Sequence, residues 1–270
     1  MKNKIVFLLL LFTFFLAPVS VFAQSTTSAP QGTTEMPSEV RPLQIPNIAV
    51  QITQPRSGNE VAFSVRLLLI LTILTIAPSI LLLVTCFLRF SIVLDFIKRA
   101  LSLQQVPPTS ILQGIAAFMT LFIMWPTFTT MYEKAYKPLS NGEIGIEQAY
   151  KEAEAPIREF MFTQMSDDTT YIKLFMNMSN LDKPETPGDV PTYILIPSYI
   201  LHELTVAFKI GVLLYIPFII IDMVVASILM AMGMMMLPPV QISMPFKLIL
   251  FVLVDGWGLL TNQLFISVMR

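Results

Sequence analysis

Between Arg66 and Arg89 the chain runs from Leu67 to Leu88, 22 residues, without a charge. Coiled as a helix rising ~1.5 Å per residue, that run reaches roughly 33 Å, enough to cross the ~30 Å hydrocarbon core of a bilayer. A second candidate span follows from Ile111 to about Thr130, with Trp125 near its end where an interfacial aromatic belongs. Composition agrees, because 54% of the residues are hydrophobic and only 13% are charged, against roughly 25% charged in an ordinary soluble domain. The chain reads as an all-α membrane protein.

Two segments precede the first run. Residues 1–23 have the form of a secretory signal peptide, with Lys2 and Lys4 ahead of the apolar stretch Ile5 to Leu16 and Val21-Phe22-Ala23 as a small-residue cleavage site. Cleavage is expected after Ala23. The alternative, an uncleaved first membrane helix, has too short a continuous apolar stretch for the about 20 residues that a span needs. Residues 24–60 are rich in Ser, Thr, Gln and Pro, with prolines at 30, 37, 42, 46 and 55, and read as a flexible extracytoplasmic arm.

Charge on the connectors sets the expected orientation. Arg89 to Ser110 carries Arg89, Lys98 and Arg99 against Asp95, a net of +2, whereas Met131 to Pro191 holds 11 acids and six bases, a net of −5. Positive connectors stay in the cytoplasm, so the short one is expected inside, and both termini and residues 131–191 outside. Within that long connector Asn141-Gly142 signals a turn, and Ile157, Phe160, Met161, Gln164 and Met165 keep helical spacing. Asp167 or Asp168 could cap a following helix with Ile172, Phe175 and Met178 on one side. Residues 131–191 are therefore expected to be a small helical extracytoplasmic domain; their many aromatics and methionines speak against the alternative of a disordered loop.

From Thr192 to Ala231 the chain is apolar for some 40 residues, with Pro197 and Pro217 expected to interrupt it. One helix of that length reaches roughly 60 Å, about twice a hydrocarbon core, so part of it must leave the bilayer or be buried in protein. A last apolar segment runs from Phe246 to Val268. Five ionisable groups, Glu203, Lys209, Asp222, Lys247 and Asp255, lie in or beside these runs. A charge facing mid-membrane lipid costs at least ~2.5 kcal/mol, so they are expected to pair or to face protein or water. Ionic pairs that lock helices are the preferred reading, with Glu203 to Lys247 the expected pair; a proton or ion pathway and ends that snorkel to the interface stay open.

Several chemistries are excluded. LHELTV looks like a zincin motif, but its second histidine position is Val206 and His202 is the only histidine in the chain. One histidine and one cysteine, Cys86, leave no nucleophilic triad, disulfide framework or thiolate metal cluster. No glycine-rich phosphate loop is present, and 17 basic against 18 acidic residues give no footprint for nucleic acid.

Two proline pairs mark reversals: Pro107-Pro108, in QQVPP, and Pro238-Pro239, in MMMLPP. Proline lacks the N–H and disfavours helix in the residue before it, so each pair marks a helix end. Just before the second pair, Met230, Met232, Met234, Met235 and Met236 put five methionines into seven residues. At about 100° per residue they would point to every side of a helix, which is not a core stripe. Gap filling or an interface loop is the ordinary explanation. With several copies around an axis, the same side chains would form a soft apolar constriction that excludes ions by dewetting yet deforms around a passing chain.

Four stretches carry a resemblance. Ile76-Ala77-Pro78, QQVPP, Ile210 to Pro239 and PFKLILFVLVDGW from Pro245 to Trp257 resemble the FliP family, flagellar export-gate membrane proteins with SctR homologues in virulence type III secretion. The signal peptide and the LPP after the methionines look like the flagellar branch. The resemblance implies two helical hairpins, 61–130 and 192–270, flanking the domain at 131–191, and five copies assembled with FliQ and FliR into a helical cone. FlhA and FlhB are implied as further export-gate partners, and unfolded flagellar proteins as the cargo crossing the inner membrane. The loop at 230–239 is implied as the gate, with no enzymatic activity, cofactor or metal. The rival function is an ion-coupled carrier that uses Asp222, Asp255 and Glu203 as a relay.

Overall fold

The computed structural model describes residues 58–269 other than 167, 183, 185 and 235. The expected signal peptide, nearly all of the expected arm, Met235 and Arg270 lie outside the described residues. Among the described residues all regular structure is helical.

Helix α1, Gly58–Leu83, is the first apolar run. Its stretch up to Ile76 belongs to a unit separate from the one that begins at Ala77. The large apolar side chains from Leu67 to Leu74 are exposed. The hydroxyl of Thr72 donates to Leu68 O and that of Thr75 to Thr72 O, both at 2.8 Å, so these polar groups are satisfied by their own helix. Such a surface suits lipid, where an unpaired hydroxyl is costly.

In the second unit the expected connector from Arg89 turns out to be mostly helical. Helix α2, Phe87–Ala100, buries Phe90, Val93, Leu94 and Ile97 at three- and four-residue intervals. On its outer side Arg99 donates to Asp95 at 2.7 Å, one turn earlier. Reading that segment by its charge alone hid an amphipathic helix. It ends in a Schellman turn: Ser102 N–H donates to Arg99 O, Leu103 N–H to Lys98 O, and Ser102 is left-handed at φ 60. Pro108 then caps α3, Thr109–Met131, which packs on α2.

A π-helical turn, Tyr132–Tyr136, leads from α3 into the short α4, Lys137–Ser140, and the expected turn follows with Gly142 at φ 75. Helices α5, Ile146–Gln164, and α6, Thr170–Met178, close a small core of Met161, Met165, Ile172 and Met176 against Ile194, Leu195 and Tyr199. Asp168 Oδ1 accepts the Thr170 N–H at 3.0 Å at the start of α6. The Thr170 hydroxyl first, and then that N–H, hold the Asp168 carboxyl below the usual carboxylate range. The expected apolar face of α6 is corrected at one position. Met178 is exposed, and Met176, one turn after Ile172, takes its place in the core.

Helix α7, Thr192–Ala231, is a single 40-residue rod that Pro197 and Pro217 do not interrupt. It packs along α2 and against α5, α6 and α8, Pro239–Leu253. The expected last apolar segment is broken: α8 and α9, Gly256–Met269, meet at a 65° bend. Asp255 sits in that break with φ 50, so the carboxylate expected inside a span lies at a helix junction.

By length and apolarity α1, α3 through α4, and α7 could each cross a membrane, and the bent pair α8–α9 could supply a fourth span.

Close approach of α2 to α7 depends on Gly211, where an added Cβ would lie 2.6 Å from the Phe96 ring. Gly211→Ala is expected to cost about 1–3 kcal/mol by overpacking. Thermal unfolding of the purified protein checks this, and Phe96→Ala in the same chain should recover most of the loss if the ring is the obstacle.

Candidate functional site

Three polar constructions stand out in this apolar fold. The first is centred on Arg89, in the buried face of α2. Its Nε donates to Glu203 Oε2 of α7 at 2.8 Å, and Nη2 donates to Glu203 Oε1. Nη1 donates to Ser267 O of α9 at 2.6 Å, and Nη2 also reaches Gln164 Oε1 of α5 at 3.1 Å. Gln164 Nε2 in turn donates to Val268 O at 2.8 Å. The Arg89 and Glu203 side chains are 2% and 0% exposed, so the pair is dry and its remaining hydrogen-bonding capacity is met by α5 and α9. Two carbonyls near the C-terminal end of α9, left without intrahelical donors, thus find theirs on other helices.

The second joins α7, α8 and the end of α2. Lys247 Nζ lies 2.6 Å from Asp222 Oδ2 and also donates to Ala100 O at 3.1 Å and Ser102 Oγ at 3.0 Å. The Ser243 hydroxyl donates to Asp222 Oδ1. Lys247 is 1% exposed, and these acceptors compensate its burial. Within the chain, therefore, the expected Glu203–Lys247 pair does not form. Glu203 takes Arg89 and Lys247 takes Asp222, because each carboxylate faces the cation that α7 meets at its own level. Among the described residues neither Lys209 nor Asp255 forms an ion pair, and both are exposed.

Sequence reasoning treated Arg89 as the bracket of a span and passed over Gln164, Ser243 and Ser267 as partners. A signal existed for Arg89: it lies one position before Phe90 and four before Val93, on the same side of α2 as the buried row. His202 is buried beside Glu203 in α7, and Cys86 is buried in the core. No group of three potential metal ligands occurs among the described residues.

The third construction is the methionine loop. After Ala231 the chain leaves α7 through a Schellman turn: Gly233 N–H donates to Met230 O and Met234 N–H to Leu229 O, both at 3.0 Å. Gly233 is at φ 75, a conformation open to glycine at little cost. Pro238 then caps α8 and Pro239 is its first residue, as Pro108 caps α3 after Pro107. Each proline pair thus opens the helix that follows. Met230 in the last turn of α7 and Met232, Met234 and Met236 after it are all exposed, Met236 at 99%. A cluster of exposed thioether side chains on so short a loop is an adhesive surface.

A model described as the FliP family matches residues 70–264 of the chain. Among curated relatives, the flagellar biosynthetic protein FliP of Treponema denticola is 61% identical over 271 residues, covering 99% of each chain. FliP of Borreliella burgdorferi is 59% identical over 213 residues, 78% of this chain and 84% of its own. FliP of Bacillus subtilis is 48% identical over 220 residues, 81% of this chain and 98% of its own.

Proposed function

Since the chain belongs to the FliP family, we propose that it is a pore-forming subunit of the flagellar protein export gate in the inner membrane. Five copies, joined by FliQ and FliR and adjoining FlhA and FlhB, enclose a path for unfolded flagellar proteins. Residues 1–23 are removed on export, and 24–60 and 131–191 lie outside the cytoplasm. The proline-pair turns of the two hairpins, 61–130 and 192–270, point inward.

The observation that carries the reading is the stretch 230–239, where methionines stand exposed at and just beyond the end of a 40-residue helix. Brought around an axis by several copies, they close the path to ions by dewetting, and their unbranched, polarisable side chains yield to cargo. Glu203 and Asp222 are held by cations, which suits locking of helices better than a carboxylate relay.

Replacing Met234, Met235 and Met236 together with alanine is expected to raise ion conductance of the purified complex in planar bilayers about ten-fold or more, a loss of at least ~1.4 kcal/mol of barrier, while export continues. Unchanged conductance would remove the seal.

A further inference from the structure

The buried face of α8 and α9 breaks step at the elbow between them. In α8 the buried positions are Ser243, Lys247 and Phe251, each four residues after the last. In α9 they are Gly256, Leu260, Leu264 and Val268, again at intervals of four. From Phe251 to Gly256 the interval is five. In one straight helix, at about 100° per residue, that extra residue would turn the α9 row roughly 100° away from the α8 row. Asp255, left-handed at φ 50, takes the extra place outside helical geometry, and both rows stay buried.

Small residues let the elbow close tightly. A Cβ at Gly256 would lie 2.3 Å from the Phe251 ring, and one at Gly258 would lie 2.3 Å from Asp255 Oδ2. The Phe251 ring stands edge-on to Trp257, with centroids 5.2 Å apart and planes at 90°. On the outside Val252, Leu253 and Val254 are exposed, so the packing that fills the bend lies inside it.

The bend also answers a mismatch of length, because α8–α9 is tied to both ends of α2. Lys247 donates to Ala100 O at 3.1 Å and Ser102 Oγ at 3.0 Å, and Arg89 donates to Ser267 O at 2.6 Å. Lys247 and Ser267 are 20 residues apart, roughly 30 Å along a straight helix. Arg89 and Ala100 are 11 apart, roughly 16 Å along α2. A 65° bend brings the two anchor points of α8–α9 to about 25 Å, and the reach of the lysine and arginine side chains spans the remainder. From Lys247 back to Pro239, the first residue of α8, is a lever of roughly 12 Å that carries the methionine loop. Turning α8 by a third of the bend would move Pro239 about 5 Å.

We propose that the elbow at Asp255, Gly256 and Gly258 positions the methionine loop. By setting one residue outside the helix and bending the segment, it lets Lys247 and Ser267 both hold α2, and so fixes the direction in which α8 presents that loop. The inference rests on the reading of the loop as the seal. Asp255 is here a positioning residue that acts through its backbone conformation, and its carboxylate carries no ion. Asparagine and glycine also enter the left-handed region readily, whereas a β-branched residue does not.

The test compares Asp255→Asn, Asp255→Gly and Asp255→Val. In the purified complex in planar bilayers, Asp255→Asn and Asp255→Gly are expected to stay within about two-fold of the parent conductance, since both keep the left-handed turn, and to support export. Asp255→Val is expected to raise conductance about ten-fold. A second readout does not depend on the seal. In the full chain in detergent, spin labels on Gln105→Cys and Met236→Cys, both exposed positions, report the place of the loop relative to the end of α2. Cys86, 0% exposed, stays unlabelled. Asp255→Val should change the label separation by about 5 Å, and Asp255→Asn by less than about 2 Å. Leakage or lost export in Asp255→Asn with an unchanged label separation overturns the proposal, because the carboxylate itself would then be in use. An Asp255→Val variant with the parent separation overturns it too. Should replacement of Met234, Met235 and Met236 leave conductance unchanged, the seal reading falls, and the label separation still decides whether the elbow places the loop.

Discussion

Arg89→Ala is expected to lower the stability of the folded chain by about 3–5 kcal/mol, the cost of leaving a buried charge without its partner. The cost arises mainly from Glu203, which is 0% exposed and would keep a carboxylate in a dry interior with no cation to compensate it. A second loss comes from the Ser267 carbonyl near the end of α9, which loses the donor at 2.6 Å. Arg89→Lys should fall between, because an ammonium cannot reproduce the planar fork that meets Glu203, Gln164 and Ser267 at once. Arg89→Met with Glu203→Leu should recover much of the loss, since removing both charges removes the desolvation penalty with them. Denaturant or thermal unfolding of the purified protein decides. An Arg89→Ala variant within about 1 kcal/mol of the parent, the range of an exposed pair, would mean that this pair is not buried in the native protein.

The second large effect is expected at Asp222. Asp222→Ala leaves Lys247, 1% exposed, with only neutral acceptors at Ala100 and Ser102. The expected loss is about 3 kcal/mol, at the lower end for a broken buried pair because the Asp222 side chain is itself 24% exposed. The exchange Asp222→Lys with Lys247→Asp should restore part of it, since the pair would survive with its sign reversed. This also separates a lock from a relay. With a lock, stability and export fall together in Asp222→Asn; with a relay, export falls while the unfolding midpoint holds.

Much of the architecture was legible in local chemistry. Uncharged runs near Leu67–Leu88 and Ile111–Thr130 became α1 and α3, and the stretch Thr192–Ala231 became α7 with the bounds read from its apolar content. Asn141-Gly142 fell at a turn, whereas the proline pairs, expected to end helices, open the ones that follow, because proline's fixed φ suits a first helical turn. Helix α2 was missed for a different reason. Its apolar row is interrupted by Arg89 and Lys98, which look like solvent-facing charges until something else buries them.

By itself, then, the sequence determined most of the apolar helical segments, but not α2, the start of α1 at Gly58 or the break between α8 and α9. It also set the grouping of the methionines on one loop. Each of these follows from backbone geometry and burial preferences that operate within a few residues. Only the tertiary structure decided which charges meet. Arg89 and Glu203 are 114 residues apart, and no periodicity connects them. Their pairing and the 65° bend that places Asp255 between two helices both arise where separate helix faces come together. There Coulomb attraction and desolvation depend on distances of a few ångströms that packing alone sets.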